Sequence, residues 1–289
     1  MPTFTASDGT ELAYHVRGEG EPLVVLPGGP MQASEYLGDL GGLTAHRRLI
    51  LLDLRGTGDS AVPADPATYR CDRQTDDVEA LRVRLGLDRM DVLAHSAGGN
   101  LALLYAARHP RRVARLALVT VVPWALGRPA TPEERLAAAL LRKDEPWFAA
   151  VFPAFRAWLA GEEVTDEEFA AFGGFFYGRW DNTARAHAAG MEARANVEAE
   201  ERFHGPGAYD PPALRAALAE VTAPALVLAG GADGGPCPAA ARLLADALPN
   251  AELAVQPGAG HYPWLDDPRW FTRRTAAFLN VPASAPAAS

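Results

Sequence analysis

Three polar residues far apart in the chain, Ser96, Asp233 and His261, each sit in a short run where a side chain can do chemistry. Ser96 is at the apex of Ala94-His95-Ser96-Ala97-Gly98. Before it lies an apolar run (Met90 to Ala94) that predicts a strand, and after it a stretch (Asn100 to Arg108) that predicts a helix. A strand-to-helix turn with small residues around a serine is a nucleophile elbow: it lifts the hydroxyl clear of the backbone and lets strand and helix approach closely. The usual pattern is G-x-S-x-G, and here Ala94 replaces the first glycine with one extra methyl. Asp233 follows the buried-strand run Ala225 to Gly230, and His261 follows the alternating run Ala251 to Gln256. A serine hydroxyl becomes a useful nucleophile when an imidazole removes its proton. A carboxylate then fixes the imidazole tautomer and stabilises its charged form. Each residue alone has an ordinary explanation as a turn or loop residue. Their order, each beyond a strand's end, makes the chemical reading the stronger one. His95, beside the serine, is read as structural.

Acyl chemistry at Ser96 also needs N–H donors for a developing oxyanion. The Ala97 N–H, next to the serine, is one candidate. The other is expected in the loop Pro27-Gly28-Gly29-Pro30-Met31, after the β-rich run Pro22 to Leu26. Gly29 is chosen because Pro30 has no N–H to give. This chemistry requires neither a metal nor an organic cofactor.

The elements that must position these residues alternate along the first part of the chain. Leu12 to Arg17, Leu23 to Leu26, Arg48 to Leu54 and Val113 to Val121 read as strands. Cys71 to Leu85 has helical spacing (Val78, Leu81, Leu85), with Asp72 suiting the positive helix end. Strands alternating with helices predict an α/β fold, a mainly parallel sheet flanked by helices. Ligands in such sheets gather beyond the strands' C-terminal ends.

Near Pro123 the pattern changes to alanine, glutamate, arginine and aromatics, with no strand-like run. Pro132-Glu133-Glu134-Arg135 opens one helix, Pro146 to Leu159 suggests another, and Thr165-Asp166-Glu167-Glu168 is a capped start to a third. The expected organisation is a first core part over 1–122, a helical cap inserted over 123–212, a second core part over 213–281 and a disordered Pro/Ala/Ser-rich tail over 282–289. Aromatics concentrate in the cap, among them Trp124, Trp147, Phe155, Trp158, Phe176 and Trp180; most are expected to glue its helices together and some to line an apolar pocket.

The chain resembles a known family at these positions. The order serine, acid, histidine is that of the α/β-hydrolase superfamily, which implies the α/β-hydrolase fold with an inserted cap. Pro27-Gly28-Gly29-Pro30-Met31 is similar to the H-G-G-P-G signature of the proline iminopeptidase branch, and Asp53 to Ser60 (DLRGTGDS) is similar to a D-x-R-G-x-G-x-S stretch common in the superfamily. The Asp53 stretch is read as supporting the fold. The resemblance covers about Thr3 to Leu279. Those peptidases hold the substrate's free amino group with acidic side chains. This chain has Gly234 where one acid is expected and Ala208, in Gly205-Pro206-Gly207-Ala208-Tyr209, where the other aligns. A buried ammonium without a counter-charge is costly, so both losses argue against aminopeptidase activity, although Glu192, Glu198, Glu200 and Glu201 are available substitutes.

Composition agrees with a compact soluble enzyme, and the expected partner is a small-molecule substrate. The 289 residues are 48% hydrophobic, carry a net charge of -9 and contain only two cysteines, Cys71 and Cys237, without metal-like spacing. The negative charge disfavours nucleic acid and anionic membrane surfaces as partners. No apolar run reaches membrane-spanning length, and Met1 to Asp8 lacks the features of a signal peptide, so a cytoplasmic location is expected. The expected function is a serine hydrolase cleaving an ester, lactone or related acyl bond. A proline iminopeptidase-like aminopeptidase is the alternative, and a non-enzymatic ligand receptor on a hydrolase scaffold is the third.

Overall fold

A computed structural model describes residues 1–280; the expected disordered tail at 282–289 lies outside the described residues. The chain builds an eight-stranded sheet from β1 (Thr3–Thr5), β2 (Glu11–Arg17), β3 (Pro22–Leu26), β4 (Arg48–Leu52), β5 (Met90–His95), β6 (Val113–Val119), β7 (Ala225–Gly230) and β8 (Ala251–Gln256). Its order is β1-β2-β4-β3-β5-β6-β7-β8. β2 pairs antiparallel with β1 and β4, and every later pairing is parallel.

The sheet is buried on both faces, and residue alternation shows how. Val24, Leu26, Ile50, Leu52, Val92, Ala94, Leu116, Leu118, Val227 and Ala229 enter one hydrophobic cluster. Their neighbours Leu23, Val25, Leu49, Leu51, Leu93, Ala117, Val119, Leu226 and Leu228 enter the other. Side chains alternate across a strand, so only near-continuous apolar runs can satisfy two covered faces. Helices α1 (Thr75–Arg84) and α2 (Gly98–Arg108) cover the first face.

Between β6 and β7 the described chain forms α3 (Pro132–Leu140), α4 (Phe148–Leu159), α5 (Asp166–Ala171), α6 (Asn182–Ala189), α7 (Met191–Arg194), α8 (Val197–Phe203) and α9 (Pro211–Leu218). Thr131 and Thr165 each make a reciprocal capping box, with Glu134 and Glu168 respectively. Phe148, Phe155, Phe172 and Phe175 form a separate small core there. The last helices return to the sheet, since Phe203, Leu214 and Leu218 belong to the main cluster. After β7 come α10 (Pro238–Asp246), α11 (Pro263–Asp266) and α12 (Pro268–Asn280), whose Phe271 and Phe278 fill the second cluster.

Some expected boundaries move. The strand expected over Val113 to Val121 ends at Val119, because Thr120 turns into the left-handed region at φ 46°. The helix expected over Cys71 to Leu85 opens with a 3-10 turn at Cys71–Gln74. β1 and α6 to α12 are not among the individually expected elements; β1, α7 and α11, of three or four residues, are too short to carry a visible period.

The Asp53 to Ser60 stretch supports the fold. Asp53 Oδ1 accepts the N–H and hydroxyl of Ser34 at 2.8 and 2.7 Å, and Oδ2 accepts the Asp59 N–H at 3.0 Å. Arg55 clamps Asp77 at 2.8 and 2.6 Å and Asp8 at 2.7 Å. Arg55 and Asp77 are buried. Replacing Arg55→Ala strands a buried carboxylate, so the expected loss is roughly 3–5 kcal/mol of unfolding free energy. Guanidinium titration measures it, and a change under about 1 kcal/mol, the size of an exposed pair, contradicts this account.

Candidate active site

The Ser96 turn is held by its neighbours. Ser96 lies in the left-handed region at φ 51°, uncommon for a residue with a Cβ. Its N–H donates to Val119 O at 2.9 Å and its carbonyl accepts the Gly99 N–H at 2.9 Å. The turn leaves no room beside it. A Cβ on Gly28 would lie 2.7 Å from Ser96 Cβ and 2.8 Å from His95 O, and one on Gly98 would lie 2.2 Å from Pro27 O. The one methyl this sequence adds, on Ala94, is fully buried in the main core.

Ser96, Asp233 and His261 meet beyond the C-terminal ends of β5, β7 and β8. His261 Nε2 lies 2.9 Å from Ser96 Oγ, and His261 Nδ1 lies 2.8 Å from Asp233 Oδ2. The other Asp233 oxygen, Oδ1, accepts the Gly235 N–H at 2.7 Å. With the carboxylate as acceptor, His261 carries its hydrogen on Nδ1 and presents a bare Nε2 to the serine hydroxyl. The Asp233 side chain is fully buried and that of His261 is 13% exposed.

The loop after β3 separates its two glycines. Gly28 is buried and donates its N–H to Tyr36 Oη at 2.7 Å. Gly29 is exposed, with φ 120°, and its N–H has no acceptor among the described residues. The Ala97 N–H also has none. These two donors remain available to a ligand.

His95 does not face an open pocket. It is 1% exposed and bridges Tyr36 Oη at 2.6 Å and the His261 carbonyl at 2.9 Å. Burial depresses its basicity well below that of a free imidazole. The hydroxyl of Thr120, after β6, donates to the same His261 carbonyl at 2.9 Å.

The helical insertion grips the His261 loop from the other side. The His261 N–H donates to Phe176 O at 2.7 Å. Asp266 collects the N–H groups of Gly260, Gly178 and Arg179 at 2.7, 2.9 and 3.1 Å, and Arg142 donates through Nε and Nη2 to Tyr177 O. His187 joins Tyr177 Oη at 2.7 Å and Tyr36 O at 3.0 Å. Tyr36, Thr120, His187 and Asp266 carried no motif in the sequence. The only hint was His95 next to the elbow.

The aromatics divide by contact. Trp147, Phe152 and Trp158 pack with the insertion's own core, Tyr177 and Trp180 belong with the cluster that holds Tyr262 and Trp264, and Phe176 packs against both. Trp124 is 41% exposed and stacks on His204 with ring centroids 5.2 Å apart. Glu192, Glu198, Glu200 and Glu201 are exposed, Gly234 is buried and Ala208 is 3% exposed. Two carboxylates near the site are already committed: Asp266 as above, and Glu134 to Arg128, the Thr131 N–H and the Cys237 thiol.

His15, Asp53 and Asp59 bring three metal-ligand atoms within 4.8 Å of one another. Both Asp53 oxygens are already engaged by Ser34, Asp59 and His15, so the group fits a turn brace rather than a metal cradle.

A family model described as alpha/beta hydrolase fold matches residues 21–268. A proline iminopeptidase of Levilactobacillus brevis is 28% identical over 283 residues, covering 89% of this chain and 88% of that protein. The Exiguobacterium antarcticum esterase EaEST has a TM-score of 0.74 at 21% identity, covering 96% of this chain and 99% of that one; at this identity the likeness is one of fold. The proline iminopeptidase of Mycobacterium smegmatis has a TM-score of 0.70 at 27% identity, covering 96% and 97% respectively.

Two predictions follow from the geometry. Gly28→Ala forces the β3 loop away from Ser96, with an expected loss of roughly 1–3 kcal/mol in stability from overpacking, together with slower reaction of Ser96 with a fluorophosphonate. Unchanged labelling kinetics would contradict the crowding argument. The second concerns pH. His95, His187 and His204 are held below the ordinary histidine value by burial, His204 at about 4. The unfolded chain takes up protons near pH 6.5 while the folded chain does not, so stability falls as pH drops from about 6.5 toward 4, by at most about 1.4 kcal/mol per pH unit for each histidine. Thermal unfolding across that range checks the slope, and His204→Gln is expected to flatten it.

Proposed function

Because this chain belongs to the family with the alpha/beta hydrolase fold, we propose that it is a serine hydrolase cleaving an ester, lactone or related acyl bond of a small molecule through an acyl-enzyme intermediate. The observation that carries the reading is the hydrogen-bonded run from Asp233 through His261 to Ser96, at 2.8 and 2.9 Å. The esterase likeness at 96% coverage supports the fold needed to hold it.

Ser96 Oγ attacks the substrate carbonyl as His261 Nε2 takes its proton, and Asp233 stabilises the imidazolium through Nδ1–H. The N–H groups of Gly29 and Ala97 receive the oxyanion, each worth on the order of 3 kcal/mol in the barrier. The imidazolium then gives its proton to the departing alkoxide. Water, deprotonated by His261, attacks the acyl-Ser96 ester, and the imidazolium returns that proton to Ser96 Oγ as the acyl–oxygen bond breaks and the acid leaves. Residues 123–212 serve as a cap over this site, between core parts 1–122 and 213–281.

The aminopeptidase reading is favoured by the similarity to proline iminopeptidases. Against it stand Gly234 and Ala208 where amine-holding acids are expected, the exposure of the glutamates offered as substitutes, and the prior commitments of Glu134 and Asp266. A free ammonium entering such a site gains no counter-charge to offset its desolvation.

The expected outcome is turnover of p-nitrophenyl esters, with little hydrolysis of a proline arylamide and a drop of about 10⁴-fold or more in kcat for Ser96→Ala. Preference for the arylamide, abolished by N-acetylation of the substrate, reverses the ranking toward the peptidase. Failure of a fluorophosphonate to label Ser96 in the folded chain points instead to a ligand receptor.

A further inference from the structure

Tyr36 and His95 lie between the two halves of the site. The hydrogen positions along them follow by elimination. The Gly28 N–H can only donate, so Tyr36 Oη accepts it at 2.7 Å. The tyrosine hydrogen then goes to His95 Nδ1, 2.6 Å away. His95 carries its own hydrogen on Nε2 and donates it to the His261 carbonyl, an obligate acceptor, at 2.9 Å. Tyr36 is 3% exposed and His95 1%. The His95 ring packs on His261, Tyr262 and Trp264 with centroids 4.9, 5.4 and 4.8 Å away, so it has no space to rotate.

One end of this run controls an oxyanion donor. The Gly28 carbonyl accepts the Gln32 N–H at 3.2 Å, and in a planar trans peptide the Gly29 N–H points opposite to that carbonyl. Holding Gly28 by both its N–H and its carbonyl therefore aims the Gly29 N–H. The other end holds the backbone of His261, the proposed general base.

We propose that Tyr36 and His95 are positioning residues whose hydrogen-bonded relay fixes the oxyanion loop relative to His261, so that the donor for the developing negative charge and the base for the serine proton keep one spacing through the reaction. The proposal rests on the acyl-transfer reading above. Neither residue touches substrate; each acts through Gly29 and His261. Differential stabilisation of the transition state is what such alignment supplies, so its loss lowers kcat while leaving ground-state binding alone.

The test uses the full chain and Tyr36→Phe, which removes one oxygen and keeps the ring. With a p-nitrophenyl ester, kcat is expected to fall about 10- to 100-fold with KM within about twofold, and the Ki of an aryl trifluoromethyl ketone to rise by the same factor as kcat/KM falls. His95→Gln, a second variant, is expected to show the same split. A merely structural role lowers the melting temperature without that proportionality between Ki and kcat/KM. Nitrogen-15 NMR of the imidazoles reads the relay without substrate: His95 is expected as the neutral Nε2–H tautomer in the unaltered chain, and the signal is expected to shift in Tyr36→Phe. An Nδ1–H tautomer at His95 in the unaltered chain, or Tyr36→Phe with unchanged kcat and Ki, overturns the proposal. Failure of the unaltered chain to label at Ser96 sinks the acyl-transfer reading instead, and the tautomer measurement still decides whether the relay exists.

Discussion

Ser96 is held at φ 51° between a strand and a helix, and most of what surrounds it can be understood as the cost of keeping it there. A left-handed residue with a Cβ is unfavourable by about 1–2 kcal/mol, and the chain offsets this with ladder and helix hydrogen bonds on either side. The approach of the β3 loop is just as constrained. Gly28 and Gly98 stand where a methyl would overlap Ser96 and the Pro27 carbonyl respectively. The turn that exposes the hydroxyl and the loop that offers N–H groups are therefore one packing arrangement.

The second constraint is the position of His261. Its carbonyl is held from the sheet side by His95 and Thr120, and its N–H from the helical insertion by Phe176. Asp266 ties both segments together by taking N–H groups from each. An imidazole fixed by its backbone on two sides and by Asp233 on its ring has little freedom left. The same clamp couples the insertion to the site: a shift of the segment around Phe176 to Arg179 is felt at His261 through hydrogen bonds, not only through packing. The neutral imidazoles of buried His95 and half-buried His187 suit this role because they accept at one nitrogen and donate at the other.

Charge placement bears on substrate choice. Two carboxylates near the site, Asp266 and Glu134, are already used by the protein, while the Arg135 guanidinium lies over the Trp158 ring and that of Arg142 donates to backbone carbonyls. The positions where a peptidase of similar sequence would need acids hold glycine and alanine. A ligand ammonium would find neither of the two carboxylates free to offset its lost hydration.

Much of the site was legible in the chain because its signals are local. The small residues around Ser96, the acid after one apolar run and the histidine after another can each be read within a few positions. Two-faced burial of the sheet is written in uninterrupted apolar runs. Tyr36 and His95 are 59 residues apart, and His187 reaches Tyr36 across 151; nothing in the identity of these residues names their partners. The sequence by itself determined which elements form and which residue types stand at their ends, since alternation and turn chemistry act over neighbouring residues. Only the tertiary structure decided that Gly28 is consumed by a tyrosine while Gly29 stays free, and that a histidine beside the serine turns inward to hold the loop of another. Hydrogen bonds are directional and close over a few ångströms, so they are settled by how distant segments pack rather than by their order along the chain.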